Sequence, residues 1–278
     1  MGLWGPTAGR RFFDDRHWAE PLKWDRAAKR DGVKRRVFCA SMADVFEDGR
    51  GDIVEARLRL WDLIEATPNL EWLILTKRPE RIEWVVPQRW IEKGGQDNVR
   101  LGTTIELQRW AKPRLDALLR WPGKNFISVE PMLEPVSLAK ALTPQECDWD
   151  QFDAIPDAGE PEEFVEECEA ECDWVNYGDD LVENPAWREW VNWRENRARL
   201  FAMGRGIDWV IIGGESGHGA RLMELWWVTR LVMECKLAGV PVFVKQLGGN
   251  PDKRDEMEKW PSELQIREFP EFSTNVHE

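Results

Sequence analysis

Small polar and ionisable residues recur in this chain directly after short apolar runs. Ser41 and Asp44 follow "RRVFCA", and Thr76, Lys77 and Arg78 follow "WLIL". Thr103, Thr104 and Glu106 close "VRLGTTIE", and Ser128 and Glu130 close "FISVE". Gly213, Gly214, Glu215 and Ser216 follow "WVII", and Lys245 and Gln246 close "VFVKQ". A lysine beside an arginine can hold a carboxylate or phosphate, the arginine through its planar fork and the lysine as a point charge. The plain alternative for Lys77 and Arg78 is a solvated surface pair. Glu130, beside a core strand, needs a donor or a ligand cation, because burying a carboxylate unpaired is costly. Glu130, Lys77, Arg78 and Lys245 are thus the candidate catalytic set, sufficient for acid–base work. A structural salt bridge from Glu130 to Lys245 or Arg78 is the competing reading. The stretch "GGESGHG" (213–219) reads either as backbone brought close to a ligand, with Glu215 accepting from a ribose hydroxyl or an amine, or as a tight turn. It lacks the spacing of a phosphate loop or a dinucleotide fingerprint.

These residues need a scaffold that gathers them, and the apolar runs supply one. Six candidate strands lie in "RVFCASMADVF", "WLILTKRPE", "NVRLGTTIEL", "NFISVEPML", "DWVIIGGESG" and "VPVFVKQLGG". Nearly continuous apolar strands predict a parallel sheet covered on both faces. Helical patterns over 53–67, 106–120 and 223–238 are long enough for crossovers. The expected fold is one α/β domain over 1–278, a partial or closed (β/α) barrel or an open sheet of about six parallel strands. In such folds the carboxyl ends of the strands share one side, where ligands bind. Residues 140–205 break the rhythm and are expected to be an acidic, peripheral insertion. Of the eighteen tryptophans, Trp24, Trp61, Trp110, Trp226 and Trp227 are expected to pack in cores.

Composition narrows the class. With 42% hydrophobic and 32% charged residues, no run approaching 18 apolar residues and no signal-like start, the chain reads as a soluble protein of the cytoplasm with no membrane role. Five scattered cysteines argue against a disulfide framework. The net charge of −13 is local: residues 146–183 hold 16 acids and no base, leaving the rest at +3. The first 36 residues hold ten bases against five acids. They carry no aromatic platform or helix-turn-helix pattern, so direct nucleic-acid binding is not expected. With three histidines, two of them (His17 and His277) near the termini, a histidine metal site is excluded and no metal ligands are assigned. His218 is the remaining histidine. Cys168 and Cys172 form a C-x3-C pair that lacks a third soft ligand, while Cys39 and Cys235 read as buried.

Taken as a set, "RRVFCASMADVFED", "WLILTKRPERI", "VRLGTTIE", "FISVEPMLEP", "DWVIIGGESGHGAR" and "GVPVFVKQLGG" resemble the phage Gp37/Gp68-type family, itself similar to radical S-adenosylmethionine proteins. The likeness covers about residues 5–135 and 205–260. It implies a TIM-barrel-like (β/α) fold of the radical S-adenosylmethionine type. It also implies S-adenosylmethionine as cofactor and an iron–sulfur cluster held by a C-x3-C-x2-C loop upstream of a stretch like "LWGPTAGRRFF". That loop is missing here, so the expectation is a truncated or shortened form, with a [4Fe–4S] cluster only if an N-terminal segment is restored. Strand-end position makes Ser41, Thr103, Gly213, Gly214 and Glu215 the candidate cofactor contacts, with Glu130 beside them. The same position makes Lys77, Arg78 and Lys245 the candidates for substrate anions. Two other readings stand beside this one: a non-enzymatic protein that binds a partner through its basic N-terminus or its acidic insert, and a non-radical enzyme with a carboxylate, lysine and arginine site. The substrate, small or macromolecular, is unassigned.

Overall fold

In a computed structural model of the chain, the described residues are 12–39, 43–48, 51–138, 142, 206–249 and 254–272. Apart from Leu142, the expected insertion over 140–205 lies outside them, with Cys168 and Cys172. The protein is α/β, as expected, and divides into two compact units. The first comprises residues 1–103, 121–125 and 271–278, and the second residues 104–120 and 126–270.

In the first unit, β1 (Arg35–Cys39), β2 (Leu70–Thr76) and β3 (Val99–Thr104) run parallel, with Val37 level with Trp72 and Thr76 level with Thr103. Every residue of β2 except Leu75 is buried, and so is all of β3. This is why their sequences are apolar without alternation. Helices α1 (Asp15–Trp18) and α2 (Glu20–Asp31) precede β1. Gly32 ends α2 in the left-handed region at φ 65°, where a side chain would be strained. Asp25 accepts from the backbone and side-chain nitrogens of Asn69 at 2.7 and 3.0 Å, fixing α2 to the start of β2. Helix α3 (Gly51–Glu65) joins β1 to β2 and buries Leu60, Trp61 and Ile64, one stripe at helical spacing. Trp61 meets Trp90 edge-on at 5.1 Å, which packs α3 against α5 (Gln88–Glu92), the helix after α4 (Ile82–Val85).

In the second unit, β4 (Lys124–Val129, entering at Phe126), β5 (Val210–Gly213) and β6 (Val242–Gln246) are parallel, with Ile127 level with Val210 and Ile211 with Phe243. Helices α6 (Ala111–Leu118) and α7 (Leu225–Leu237) belong to this unit. Trp209 anchors its aromatic core, 6.0 Å from Phe126 and 5.6 Å from Phe269. The segment around Arg267 covers the outer edge of β6, where Val244 N–H donates to Ile266 O at 2.9 Å and Glu268 N–H to Val242 O at 3.0 Å. An edge paired in this way offers no template to another chain.

The helices expected over 53–67 and 223–238 form within two residues of those bounds. The pattern over 106–120 instead yields a 3-10 turn at Gln108–Trp110 followed by α6, with Pro113 in its first turn, where no amide donor is needed. Trp61 is buried at 2% exposure, whereas Trp24 and Trp110 each keep 39%. Arg114 covers the Trp110 ring at 4.8 Å. Among the described residues, no helix is long and apolar enough to cross a membrane.

Candidate functional site

The strand ends of each unit carry an organised polar cluster. In the first unit Asp44 is the hub. Its carboxylate accepts from Phe46 N–H at 2.9 Å, the Thr76 hydroxyl at 2.7 Å, Lys77 N–H at 3.2 Å and Arg78 Nη1 at 2.8 Å. Thr76 Oγ1 in turn accepts from Arg78 N–H at 2.9 Å, so the turn after β2 is held at three consecutive residues. Behind it, Arg57 of α3 donates to Val45 O at 2.7 Å and to Glu47 O at 2.6 Å, clamping the loop that delivers Asp44. Burial lowers the Arg57 pKa, and the charge of Arg81 lowers it further. Lys77 is exposed, while Arg78 keeps 43% of its side chain open. Ser41 lies outside the described residues. Thr103 is fully buried and donates to Thr76 O at 2.9 Å, so its hydroxyl serves the contact between β2 and β3.

In the second unit, Lys245 at the end of β6 donates to Glu130 Oε1 at 2.7 Å, just past the end of β4. Of the two cations considered as partners for Glu130, Lys245 takes the role, and Arg78 pairs with Asp44. The Lys245 and Glu130 side chains are 52% and 24% exposed. The peptide from Glu130 to Pro131 is cis, and Met132 N–H donates to Gly213 O at 2.9 Å, joining this turn to the end of β5. A Cβ on Gly213 would lie 3.1 Å from Glu130 Cδ, a tight contact that the glutamate side chain relieves by shifting a few tenths of an ångström.

The question raised by "GGESGHG" receives a split answer. A Cβ on Gly214 would lie 2.5 Å from Leu247 O, and Gly249 N–H donates to Glu215 O at 3.1 Å. These glycines therefore let two backbone segments, 213–215 and 247–249, pack against each other. Glu215 accepts from Arg221 through N–H at 2.9 Å, Nε at 2.9 Å and Nη2 at 3.1 Å. Those bonds from Arg221 hold its carboxyl down to about 2. The Glu215 carboxylate thus closes the 215–221 loop, while His218 stands exposed on it.

Sequence reading missed Arg57 and Arg114 as organising residues. Arg114 of α6 binds Thr104 O at 2.6 Å and the buried Glu106 carboxylate. Both arginines come from helices, where a lone cation looks like any solvent-facing residue. The available signal was an arginine on the helix following each strand whose polar end it serves.

The expectation of an iron–sulfur protein is corrected. Among the described residues, no three His, Cys, Asp or Glu side chains are grouped to hold a metal ion. Metal binding needs the thiolate. Burial pushes the Cys39 thiol up to about 12 and the Cys235 thiol well above its ordinary range. Both are free thiols; Cys235 is buried as expected, whereas Cys39 is only half-buried.

Fold and site together define an α/β protein whose strand ends carry preformed ion pairs rather than a metal centre in the described residues. The chain belongs to the family described as "Protein of unknown function (DUF5131)", which matches residues 2–272. Comparison with curated proteins and with solved structures gives no match.

Proposed function

We propose that the carboxyl ends of β4, β5 and β6 bind the amino-acid head of a small cofactor. The resemblance to the phage Gp37/Gp68-type family implies that this cofactor is S-adenosylmethionine. The observation that carries the reading is the Glu130 and Lys245 pair, with opposite charges 2.7 Å apart and half-exposed. An α-amino acid presents an ammonium and a carboxylate close together, so Glu130 suits the first and Lys245 the second. An exposed ion pair contributes only about 0–1 kcal/mol to stability, so exchanging it for the two charges of a ligand costs little. Gly213 lets the Glu130 side chain lie against the end of β5, where a Cβ would come within 3.1 Å of Glu130 Cδ. Bound there, the cofactor supplies a sulfonium-activated carbon for group transfer. Within the chain, Glu130 orients the ammonium, Lys245 neutralises the carboxylate, and the Arg221 clamp on Glu215 fixes the neighbouring loop.

Calorimetric titration of the full chain with S-adenosylmethionine, S-adenosylhomocysteine and methionine tests this. The expected result is binding of all three. Glu130→Gln and Lys245→Met each weaken it about tenfold or more, the effect of removing one partner of a charge-assisted hydrogen bond. No heat with any of the three ligands would overturn the reading and leave the partner-binding scaffold in its place.

A further inference from the structure

The segments that leave β5 and β6 beside the Glu130 and Lys245 pair meet at one guanidinium. Arg254 Nε donates to Gly248 O at 2.7 Å, and its Nη2 donates to Leu247 O and to Met223 O, each at 2.8 Å. Leu247 and Gly248 closely follow Lys245, and Met223 closely follows Arg221, whose side chain clamps Glu215. We infer that Arg254 is a positioning residue for the ligand site at the ends of β4, β5 and β6. By tying the two segments together it fixes where the Lys245 ammonium meets Glu130. Its meaning for binding rests on the function proposed for that site, whereas its effect on the ion pair does not.

The turn after β6 is gripped from two sides. On the β5 side, Gly214 N–H donates to Gln246 O at 3.0 Å, Gln246 Nε2 donates to Gly214 O at 2.9 Å, and Gly249 N–H donates to Glu215 O at 3.1 Å. Arg254 supplies the other side, where Leu247 N–H also donates back to Arg254 O at 3.2 Å. Trp260 Nε1 donates to the same carbonyl at 2.9 Å, so the backbone that carries the guanidinium is itself held. A lysine is a point charge on a flexible stem, and holding the backbone beneath it leaves only that stem to order against Glu130. Arg254 has φ 46°, in the left-handed region that glycine adopts freely and other residues rarely. A glycine would suit that backbone better, so what the arginine contributes there is its side chain. Its rigid fork reaches carbonyls of two segments at once, which a single ammonium does not reproduce.

The test reads Lys245 directly in the full chain, by trace labelling with acetic anhydride and mass spectrometry, with the exposed Lys23 of α2 as internal reference. Lys245 is 52% exposed, so the reagent reaches it, and an amine engaged with a carboxylate is labelled more slowly than a free one. Glu130→Gln sets the scale, a rise of about two- to fivefold in the ratio of Lys245 to Lys23 labelling, the range for an exposed ion pair. Arg254→Gly relieves the backbone while deleting the three bonds, and is expected to give most of that rise. Arg254→Lys is expected to give a smaller one, and it carries the comparison if Arg254→Gly fails to fold. Leu231→Ala opens a cavity in the core under α7, and is expected to lower the thermal midpoint with the ratio unchanged. Calorimetric titration with methionine is expected to rank the dissociation constants in the same order, the native chain lowest and Arg254→Gly highest. An unchanged ratio in the Arg254 variants, or an equal rise in Leu231→Ala, would overturn the inference. So would equal methionine affinity in the native chain and the Arg254 variants where the native chain binds. Absence of methionine binding by the native chain would instead overturn the function proposed for the site, and the labelling ratio alone would then decide whether Arg254 organises the pair.

Discussion

The two ends of the strands in the first unit treat charge in opposite ways. At the amino end, Glu71 is 1% exposed and accepts from Arg36 Nε at 2.7 Å and from Arg100 Nη2 at 3.2 Å. Arg100, 2% exposed, also donates to Asn125 O at 3.2 Å. Phe272 covers the Arg36 guanidinium at 4.0 Å. At the carboxyl end, Asp44 binds a turn whose cations stay half-open to solvent. Buried charges must be paired and hydrogen-bonded, and they lose heavily if one partner goes. Half-exposed charges lose little, and so can exchange partners. The same chemical groups thus fasten the sheet at one end and remain available at the other.

The sharpest way to break this comparison is to remove the carboxylate at the buried end. Glu71→Leu leaves the Arg36 and Arg100 guanidiniums without it, and the expected loss is about 3–5 kcal/mol of folding free energy by urea melting. The double variant Glu71→Leu, Arg100→Met is expected to recover part of it, because a buried ion pair is often replaceable by apolar groups of similar volume. A loss under about 1 kcal/mol in the single variant would place the network in the class of weak surface pairs and end the contrast.

A steric change at the carboxyl end of the second unit comes next in size. Gly214→Ala drives a methyl to 2.5 Å from Leu247 O and 2.7 Å from Gly248 Cα, both backbone atoms that cannot rotate away. The expected cost is about 1–3 kcal/mol, the range for overpacking, read again by urea melting. If the glycine served ligand approach alone, stability would be unchanged and only binding would fall.

Much of this architecture was legible in the sequence, because a strand buried on both faces has to be apolar throughout. "WLILT" and "DWVIIGG" could hardly be anything else, and the topology of parallel sheets then directed attention to the residues that follow them. The buried network escaped notice for the opposite reason. Glu71 and Arg100 stand second in their strands, where they look like polar flanks rather than core, yet both are buried. Long-range pairing was also hidden. Asp44 lies 32 residues from Thr76 and 34 from Arg78, and no local spacing states that they meet. The choice of Lys245 over Arg78 as the partner of Glu130 likewise depends on register, which composition does not encode. Trp24 and Trp110 were expected in cores because helical spacing marks one face of a helix but does not say whether another element covers it.

The smallest expected effect concerns the loop clamp, and its pH dependence tells it apart from the packing around it. The Arg221 bonds hold the Glu215 carboxyl at about 2, below its ordinary 4.5, so folding favours the ionised form. A depressed carboxyl contributes stability above its unfolded value and loses that contribution as the pH falls through the folded one. The difference in stability between the native chain and Glu215→Gln is therefore expected to be full above about pH 4.5 and to vanish as the pH falls toward 2. Because Arg221 is 63% exposed, solvent screening keeps this difference small. Thermal melts of both proteins from pH 6 down to acid measure it. A difference that persists at low pH would assign the Glu215 contribution to shape and backbone contacts with Gly249 rather than to the ion pair, and the exposed clamp would then resemble the fixed amino end more than the open turn at Arg78.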